Sequence, residues 1–151
     1  MAIRISKKCS YALRAVFELA RRRTDAPVTV AQIAGAQGIP PRFLESILNE
    51  LRHAGLARSH RGNVGGYTLA LPPKQIAVAD VVEVIQGPIS LAAARGSKSS
   101  ASKYFCGDSA FESLWKSVDE SMAQVCRETT LADLIKWERA SEQTLVPDYV
   151  I

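Results

Sequence analysis

Residues 29–55, TVAQIAGAQGIPPRFLESILNELRHAG, decide the fold of this chain. Thr29 and Gln32 match a capping box, which predicts that a helix begins there. Gly38 ends that helix, because glycine is typical of the position just after a helix C-terminus. Pro41 suits the first turn of a second helix. Two short helices joined by the tight turn GIPP are the pattern of a helix-turn-helix.

Apolar side chains at helical spacing predict what each helix buries. The second helix is expected to bury five of them and to stop at Gly55: Phe43, Leu44, Ile47, Leu48 and Leu51. A longer helix precedes the pair over residues 6–23, with Ser6 as its predicted N-cap. It ends in three arginines, which suit the negative end of a helix dipole.

The stretch after the second helix reads as a β-hairpin. LARSH (residues 56–60) and YTLAL (67–71) are short strands, and RGNVGG lies between them. Glycines at such a tip supply positive φ and let the backbone approach another surface. A phosphate-binding loop would need a helix directly after the glycines, and here a strand follows. Three helices and a hairpin predict a winged helix-turn-helix over residues 1–86.

The second half of the chain changes in character. A short helix is predicted over residues 78–85, followed by a long exposed loop of small, polar and basic residues over 87–109. An amphipathic helix is predicted over residues 110–127, and Thr130 with Asp133 forms a capping-box-like start for another. The apolar side chains of the helix over residues 110–127 recur at helical spacing: Phe111, Leu114, Trp115, Val118, Met122, Val125 and Cys126.

Composition sets broad limits on function. The chain has 151 residues, 47% of them hydrophobic, and a net charge of +4, which only hints at a polyanionic partner. It has no apolar run of the roughly 20 residues that span a bilayer and no secretory signal, so we expect a cytoplasmic protein with no membrane contact. Three scattered cysteines argue against a disulfide framework and fit a reducing compartment.

Several polar side chains of this unit are candidates for DNA contact. Arg42, near the start of the second helix, could bind a guanine, and Glu45 could accept a hydrogen bond from a cytosine. Arg61 at the hairpin could enter a minor groove. The alternatives are solvated side chains and an intrahelical pair of Arg42 with Glu45. Phosphate contact is possible for Lys7, Lys8, Arg58 and His60. Further candidates for DNA contact are Tyr11 and two glycines of the hairpin, Gly65 and Gly66.

These residues carry a resemblance to a known family. MAIRISKKCSYALRAVFELA and the run from VAQIAG to GGYTLA resemble the Rrf2 (Rrf-two) family of winged-helix regulators, which includes IscR, NsrR and CymR. The resemblance implies a homodimer, a palindromic operator on double-stranded DNA, and control of transcription. It also implies that residues 87–109 form a sensing or flexible loop and residues 110–151 a dimerisation helix and tail. Arg42, Glu45 and Arg61 match the family's DNA contacts.

The chain departs from the family in the cysteines of the loop. Iron–sulfur members carry three cysteines there, whereas this loop keeps only Cys106, with Ala94 and Ser100 about where the others would be. A cluster needs about four ligands, so no cofactor is the first expectation. The alternative is an unusual iron–sulfur cluster that uses Cys106 of one subunit and Cys9 of the other, although Cys9 also fits a core position.

Cys106 offers a second way to sense. Lys98 and Lys103 lie near it in the chain, and neighbouring cations favour the reactive thiolate. Oxidation to a sulfenic acid or an intersubunit disulfide would then make a redox switch. An inert cysteine beside Tyr104 and Phe105 is the alternative.

The sequence therefore predicts a mainly α protein with a small β-hairpin: a winged helix-turn-helix plus a long dimerisation helix. The expected function is that of a dimeric, sequence-specific DNA-binding regulator, a redox- or metabolite-responsive repressor. The alternative is a winged-helix module that docks and controls a partner protein. An enzyme is not expected, because His53 and His60 are isolated and no nucleophile sits near a base.

Overall fold

The computed structural model describes residues 5–22, 26–88 and 105–144. It is mainly helical, with one two-stranded antiparallel sheet, which confirms the predicted fold class. A short 3-10 turn, Pro73–Gln75, separates the sheet from the second half. The elements in chain order are α1 (Lys7–Arg22), α2 (Val30–Gln37), α3 (Pro41–His53), β1 (Ala57–His60), β2 (Gly66–Leu69), α4 (Val78–Gln86), α5 (Asp108–Glu128) and α6 (Leu131–Thr144).

Side-chain caps fix where the first helices begin, as the sequence predicted. The Ser6 hydroxyl accepts a hydrogen bond of 3.1 Å from the Cys9 N–H at the start of α1. At α2 the Thr29 N–H donates to the Gln32 side chain at 2.9 Å, and the Gln32 N–H donates back to the Thr29 hydroxyl at 3.2 Å. Gly38 ends α2 in the left-handed region, with φ of 63°. These caps confirm both helix starts.

One continuous apolar core holds α1, α2, α3, α4 and α6 together. Phe43 was predicted to belong to it, and that prediction is wrong, because 62% of its side chain is exposed. Successive residues of a helix are about 100° apart, so Phe43 lies at the edge of the stripe that begins with Leu44. The side chains that α3 buries are Leu44, Ile47, Leu48 and Leu51.

Helix α6 is joined to this same core. Leu131 and Ile135 are buried in it. The Val78 N–H donates to the Thr129 carbonyl at 2.8 Å, and the Leu131 N–H donates to the Ile76 carbonyl at 2.9 Å. The start of α6 is thereby fixed beside the start of α4. The division of the chain after residues 86 and 109 stays a prediction.

Helix α5 differs from the others because none of its side chains is buried. It begins at Asp108, so the last two residues of the predicted loop are helical, whereas residues 89–104 of that loop lie outside the described part. Cys126, one of the apolar set of this helix, is half-buried. None of the helices in the described ranges is both long and apolar enough to cross a bilayer.

A buried carboxylate near the end of α1 was not predicted. Glu18 is fully buried and accepts hydrogen bonds from Arg21 Nη2 at 2.8 Å, Arg22 Nε at 2.6 Å and Gln37 Nε2 at 2.9 Å. Burial by itself raises the pKa of a carboxyl group, but these donors outweigh it and lower the pKa of Glu18 from 4.5 to about 2. Glu18 thus fixes the end of α2 against α1.

Replacing Glu18 by glutamine is expected to lower the free energy of unfolding at pH 7 by about 3 kcal/mol, the amount that its lowered pKa represents. Because the folded-state pKa is the lower one, this stabilisation is complete above about pH 4.5 and is lost as the pH falls through about 2. Urea unfolding of both proteins between pH 7 and pH 2.5 measures it. The wild type should lose its advantage over Glu18→Gln with acid.

The control is Glu120→Gln, at a side chain that is 68% exposed on α5. It should leave both the stability at pH 7 and its change with pH close to those of the wild type. Equal stability of Glu18→Gln and the wild type at pH 7 would contradict the assignment of Glu18 as a stabilising buried anion.

Candidate nucleic-acid interface

The outer face of α3 presents polar side chains to solvent. Arg42 and Glu45 are exposed, as a role in base contact requires. With about 100° per residue, Arg42, Ser46 and Asn49 form a line along the middle of this face. Glu45 lies on one flank of the line, and Phe43 lies on the other. We had not predicted that Phe43, Ser46 and Asn49 would share this face with Arg42.

The ion pairs of the described residues show which cations already have a carboxylate partner. The considered pair of Arg42 with Glu45 is not among the ion pairs of the described residues. Lys8, by contrast, forms an ion pair of 2.7 Å with Glu50, which ties the start of α1 to α3. Lys8 is therefore less suited than Arg42 to neutralise a phosphate.

The other predicted contacts surround α3. Lys7 is exposed at the first position of α1, and Arg58 is exposed on β1. Tyr11 is half-buried and packs against the core. His60 lies 2.9 Å from the hydroxyl of Thr68 on the neighbouring strand. The structure brings these side chains onto the unit that carries α3, and their contact with DNA stays a prediction.

The hairpin that carries Arg61 is held against the segment before α2. The Val28 N–H donates to the Tyr67 carbonyl at 2.9 Å, and the Tyr67 N–H donates to the Val28 carbonyl at 2.8 Å. Val28 therefore pairs with the sheet beside β2, a contact that we had not predicted. Arg61 is exposed just beyond the end of β1.

Gly66 of the hairpin is needed by the fold itself, and Gly65 is closely packed. A Cβ atom at Gly66 would lie 2.5 Å from the Val28 carbonyl oxygen, and one at Gly65 would lie 3.0 Å from the His60 carbonyl oxygen. We had predicted that these glycines let the backbone approach another surface. For Gly66 that surface belongs to this chain, and contact of either glycine with DNA stays a prediction.

The cysteines lie in three different environments. Cys9 is fully buried in α1, which agrees with the core interpretation. Burial, with a smaller effect of nearby Cys126, raises the pKa of the Cys9 thiol, and burial also raises the pKa of Cys126. Both thiols are therefore protonated at neutral pH. Cys106 is exposed in the turn that precedes α5.

This donor set does not fit an ordinary iron–sulfur cluster. In the described ranges no three side chains of His, Cys, Asp or Glu are grouped as metal ligands. Cys9 could join a cluster only by leaving the core in which it is buried. Four loop residues considered above lie outside the described part of the chain: Ala94, Lys98, Ser100 and Lys103.

Comparison with known proteins agrees with this architecture. Residues 5–137 match the model of the Rrf2 family, described as iron-dependent transcriptional regulators. A Mycobacterium tuberculosis protein whose name describes it as an HTH-type transcriptional regulator is 43% identical over 132 residues. These residues cover 87% of this chain and 81% of the relative.

Two solved structures are similar over nearly their whole length. CymR, the global cysteine regulator of Bacillus subtilis, superposes with a TM-score of 0.77 at 31% identity and covers 90% of this chain and 98% of its own. IscR of T. potens superposes with a TM-score of 0.74 at 33% identity, over 99% of this chain and 96% of its own. This chain thus belongs to the Rrf2 family and is a DNA-binding transcriptional regulator.

Proposed function

We propose that this regulator is a homodimeric repressor that binds a palindromic operator. The observation that carries the proposal is the placement of α3 and the hairpin. Both belong to one unit, in which the hairpin pairs with Val28 just before α2, and both present exposed cations, Arg42 and Arg61. A second helix of a helix-turn-helix enters the major groove with its N-terminal residues at the base edges, and a wing can reach the adjacent minor groove.

The exposed apolar side chains of α5 support the proposal of a homodimer. Phe111, Leu114 and Val125 are 59%, 50% and 61% exposed, and they share one face with the half-buried Val118 and Met122. We call these five residues the α5 face. An apolar face of this length, on a helix about 30 Å long, is typical of a protein interface. A second copy that presents the same face would cover it and place two copies of α3 about a two-fold axis.

Within this dimer the candidate residues have separate roles. Arg42 donates to a guanine and Glu45 accepts from a cytosine in the major groove. Arg61 enters the minor groove. Lys7 and Arg58 contact phosphates, Tyr11 supports α1 beside them, and Gly65 and Gly66 shape the hairpin. The dimer acts where the chromosome lies, which in its bacterial relatives is the cytoplasm.

Arg42→Ala and Arg61→Ala are each expected to weaken operator binding by about tenfold to a hundredfold. Arg42→Ala should also relax the base preference at one position of each half-site. Arg61→Ala should leave that preference unchanged and reduce the preference for a narrow, A·T-rich minor groove. Fluorescence anisotropy on an operator and on single base-pair variants of it measures both effects.

Arg139→Ala is the matched control, because it removes an exposed arginine from α6, outside α3 and the hairpin. Its operator affinity should stay within about twofold of the wild type. Unchanged operator affinity in both Arg42→Ala and Arg61→Ala would show that α3 and the hairpin are not the DNA-contacting elements.

Cys106 supports a redox signal. Its thiol is exposed, and it lies one residue before the N-cap of α5, the helix that carries the α5 face. Attack of the thiolate on hydrogen peroxide breaks the O–O bond and leaves a sulfenic acid and water. A second Cys106 thiol could then displace that hydroxyl as water and form a disulfide between subunits.

A small metabolite is the other candidate signal. A cavity of about 750 Å³ lies between the hairpin, the end of α1 and the 3-10 turn, within the usual size range of ligand sites. Tyr67, Leu69 and Pro72 contribute apolar lining, and Arg58 and Lys74 contribute positive charge. This lining suits an anion with an apolar body.

One selection experiment tests the proposed function and its signal together. A pool of random duplexes is incubated with reduced protein and with peroxide-treated protein, and the bound sequences are determined. We expect a palindromic sequence whose affinity falls steeply with salt. A redox signal predicts different affinities in the two states and no difference in Cys106→Ser. Absence of a preferred duplex in both states, with tight binding of a partner protein, would support the docking module instead.

A further inference from the structure

We propose that Phe43 selects thymine in the operator by contacting the 5-methyl group of the base. The proposal rests on the proposed use of α3 for base contact, and it adds a residue that determines specificity. It begins from the observation that this aromatic ring lies outside the core of the protein. Phe43 is 62% exposed, whereas the next residue, Leu44, is fully buried.

The position of the ring distinguishes it from other exposed apolar side chains. Phe105, for example, is 71% exposed but lies just before α5. Phe43 lies in the first turn of α3, which begins at Pro41, and it is adjacent in sequence to Arg42. The first turn of the second helix is the part of a helix-turn-helix that meets base edges. A ring at this place is presented to the major groove together with Arg42.

The chemistry of the major groove leaves one partner for a phenyl ring. The base edges there present hydrogen-bond donors, hydrogen-bond acceptors and a single apolar group, the methyl of thymine. A phenyl ring has neither donor nor acceptor, so it gains nothing from guanine, cytosine or a phosphate oxygen. Contact with the thymine methyl removes apolar surface of both groups from water.

Phe43 and Glu50 lie on the same flank of α3, because seven residues are close to two helical turns. Glu50, two turns further along α3, is held by Lys8 of α1 at 2.7 Å. The start of α1 therefore lies beside the second half of this flank, whereas Phe43 in the first turn is exposed. Glu45 lies on the opposite flank, so the thymine and the base pair contacted by Glu45 are expected to be different positions in one half-site.

Replacement of thymine by deoxyuridine tests the proposal, because it removes only the methyl group. In the selected operator, each thymine and its symmetry mate are replaced in turn, and the dissociation constant is measured by anisotropy. For the wild type, we expect one symmetric pair of thymines at which the replacement weakens binding. The expected loss is about fourfold per half-site, because one buried methyl group is removed from each. Phe43→Ala should bind the thymine and deoxyuridine duplexes equally well.

Three controls accompany Phe43→Ala. Its thermal unfolding should match that of the wild type, because the ring adds little to the core. Phe105→Ala, the same substitution at another exposed phenylalanine, should keep the wild-type sensitivity to deoxyuridine. A gel-filtration profile for each variant shows that the same oligomer is compared.

Each remaining outcome decides for or against the proposal. Equal sensitivity of Phe43→Ala and the wild type to deoxyuridine would overturn it. A uniform loss of affinity for all duplexes in Phe43→Ala would assign the ring to the DNA backbone and would also overturn it. Failure of the selection to yield any preferred duplex would instead refute the proposed function, so the two failures are distinguishable.

Discussion

Gly66→Ala should lower the free energy of unfolding by about 3 kcal/mol. The new Cβ would lie 2.5 Å from the carbonyl oxygen of Val28 and 2.6 Å from its carbonyl carbon. These are backbone atoms, so the contact cannot be relieved by a side-chain rotation. The hairpin would have to move away from Val28, and the two hydrogen bonds between Val28 and Tyr67 would be lost. Urea unfolding and operator affinity measure the two consequences.

Gly35→Ala is the matched control for this substitution. Gly35 lies inside α2, and a Cβ there would meet no atom within 4 Å. Alanine favours a helix interior over glycine, so this variant should be more stable than the wild type by up to about 1 kcal/mol. An unchanged unfolding midpoint in Gly66→Ala would show that the hairpin does not depend on the close approach to Val28.

Leu114→Lys should separate the proposed dimer and weaken operator binding by about a hundredfold or more. The substitution places a charge on the α5 face, where a second copy would remove it from water. A monomer holds one half-site and loses the gain of about a hundredfold or more that comes from linking two binding events. Sedimentation equilibrium gives the oligomeric state, and anisotropy gives the affinity.

Ser113→Lys adds the same charge one residue away, on the polar side of α5. Ser113 is exposed and its hydroxyl bonds only to the Ser109 carbonyl of its own helix, at 2.9 Å, among the described residues. This variant should keep both the dimer and the operator affinity of the wild type. A dimeric Leu114→Lys that binds the operator normally would exclude the α5 face as the interface between subunits.

Local signals in the sequence predicted most of the fold. The capping residues Ser6 and Thr29 placed the starts of α1 and α2, and Gly38 placed the end of α2. These signals act over three or four residues, so they can be found without knowing what lies elsewhere in space. The exposed positions of Arg42 and Arg61 followed from the same local elements.

The errors and omissions concern contacts between segments distant in sequence. Periodicity placed Phe43 in the apolar stripe of α3, but it cannot tell the edge of a stripe from its centre. Val28 pairs with Tyr67 across nearly 40 residues, and no local pattern in the sequence marks that pairing. The ion pairs of Glu18 did have a local signal, because Arg21 and Arg22 follow it at the spacing of intrahelical pairs. Its third partner, Gln37, lies on α2 and has no such signal.

The attachment of β2 to Val28 also limits which operators the protein can tolerate. Val28 lies two residues before α2, so the hairpin cannot slide along the DNA independently of α2 and α3. One inserted base pair moves the minor-groove site about 3.4 Å along the duplex and rotates it about the axis. Because the hairpin cannot follow, the proposed binding mode would fix, to the base pair, the spacing between the bases contacted by α3 and the minor groove entered by Arg61. Functional operators would vary in sequence at other positions but keep this spacing.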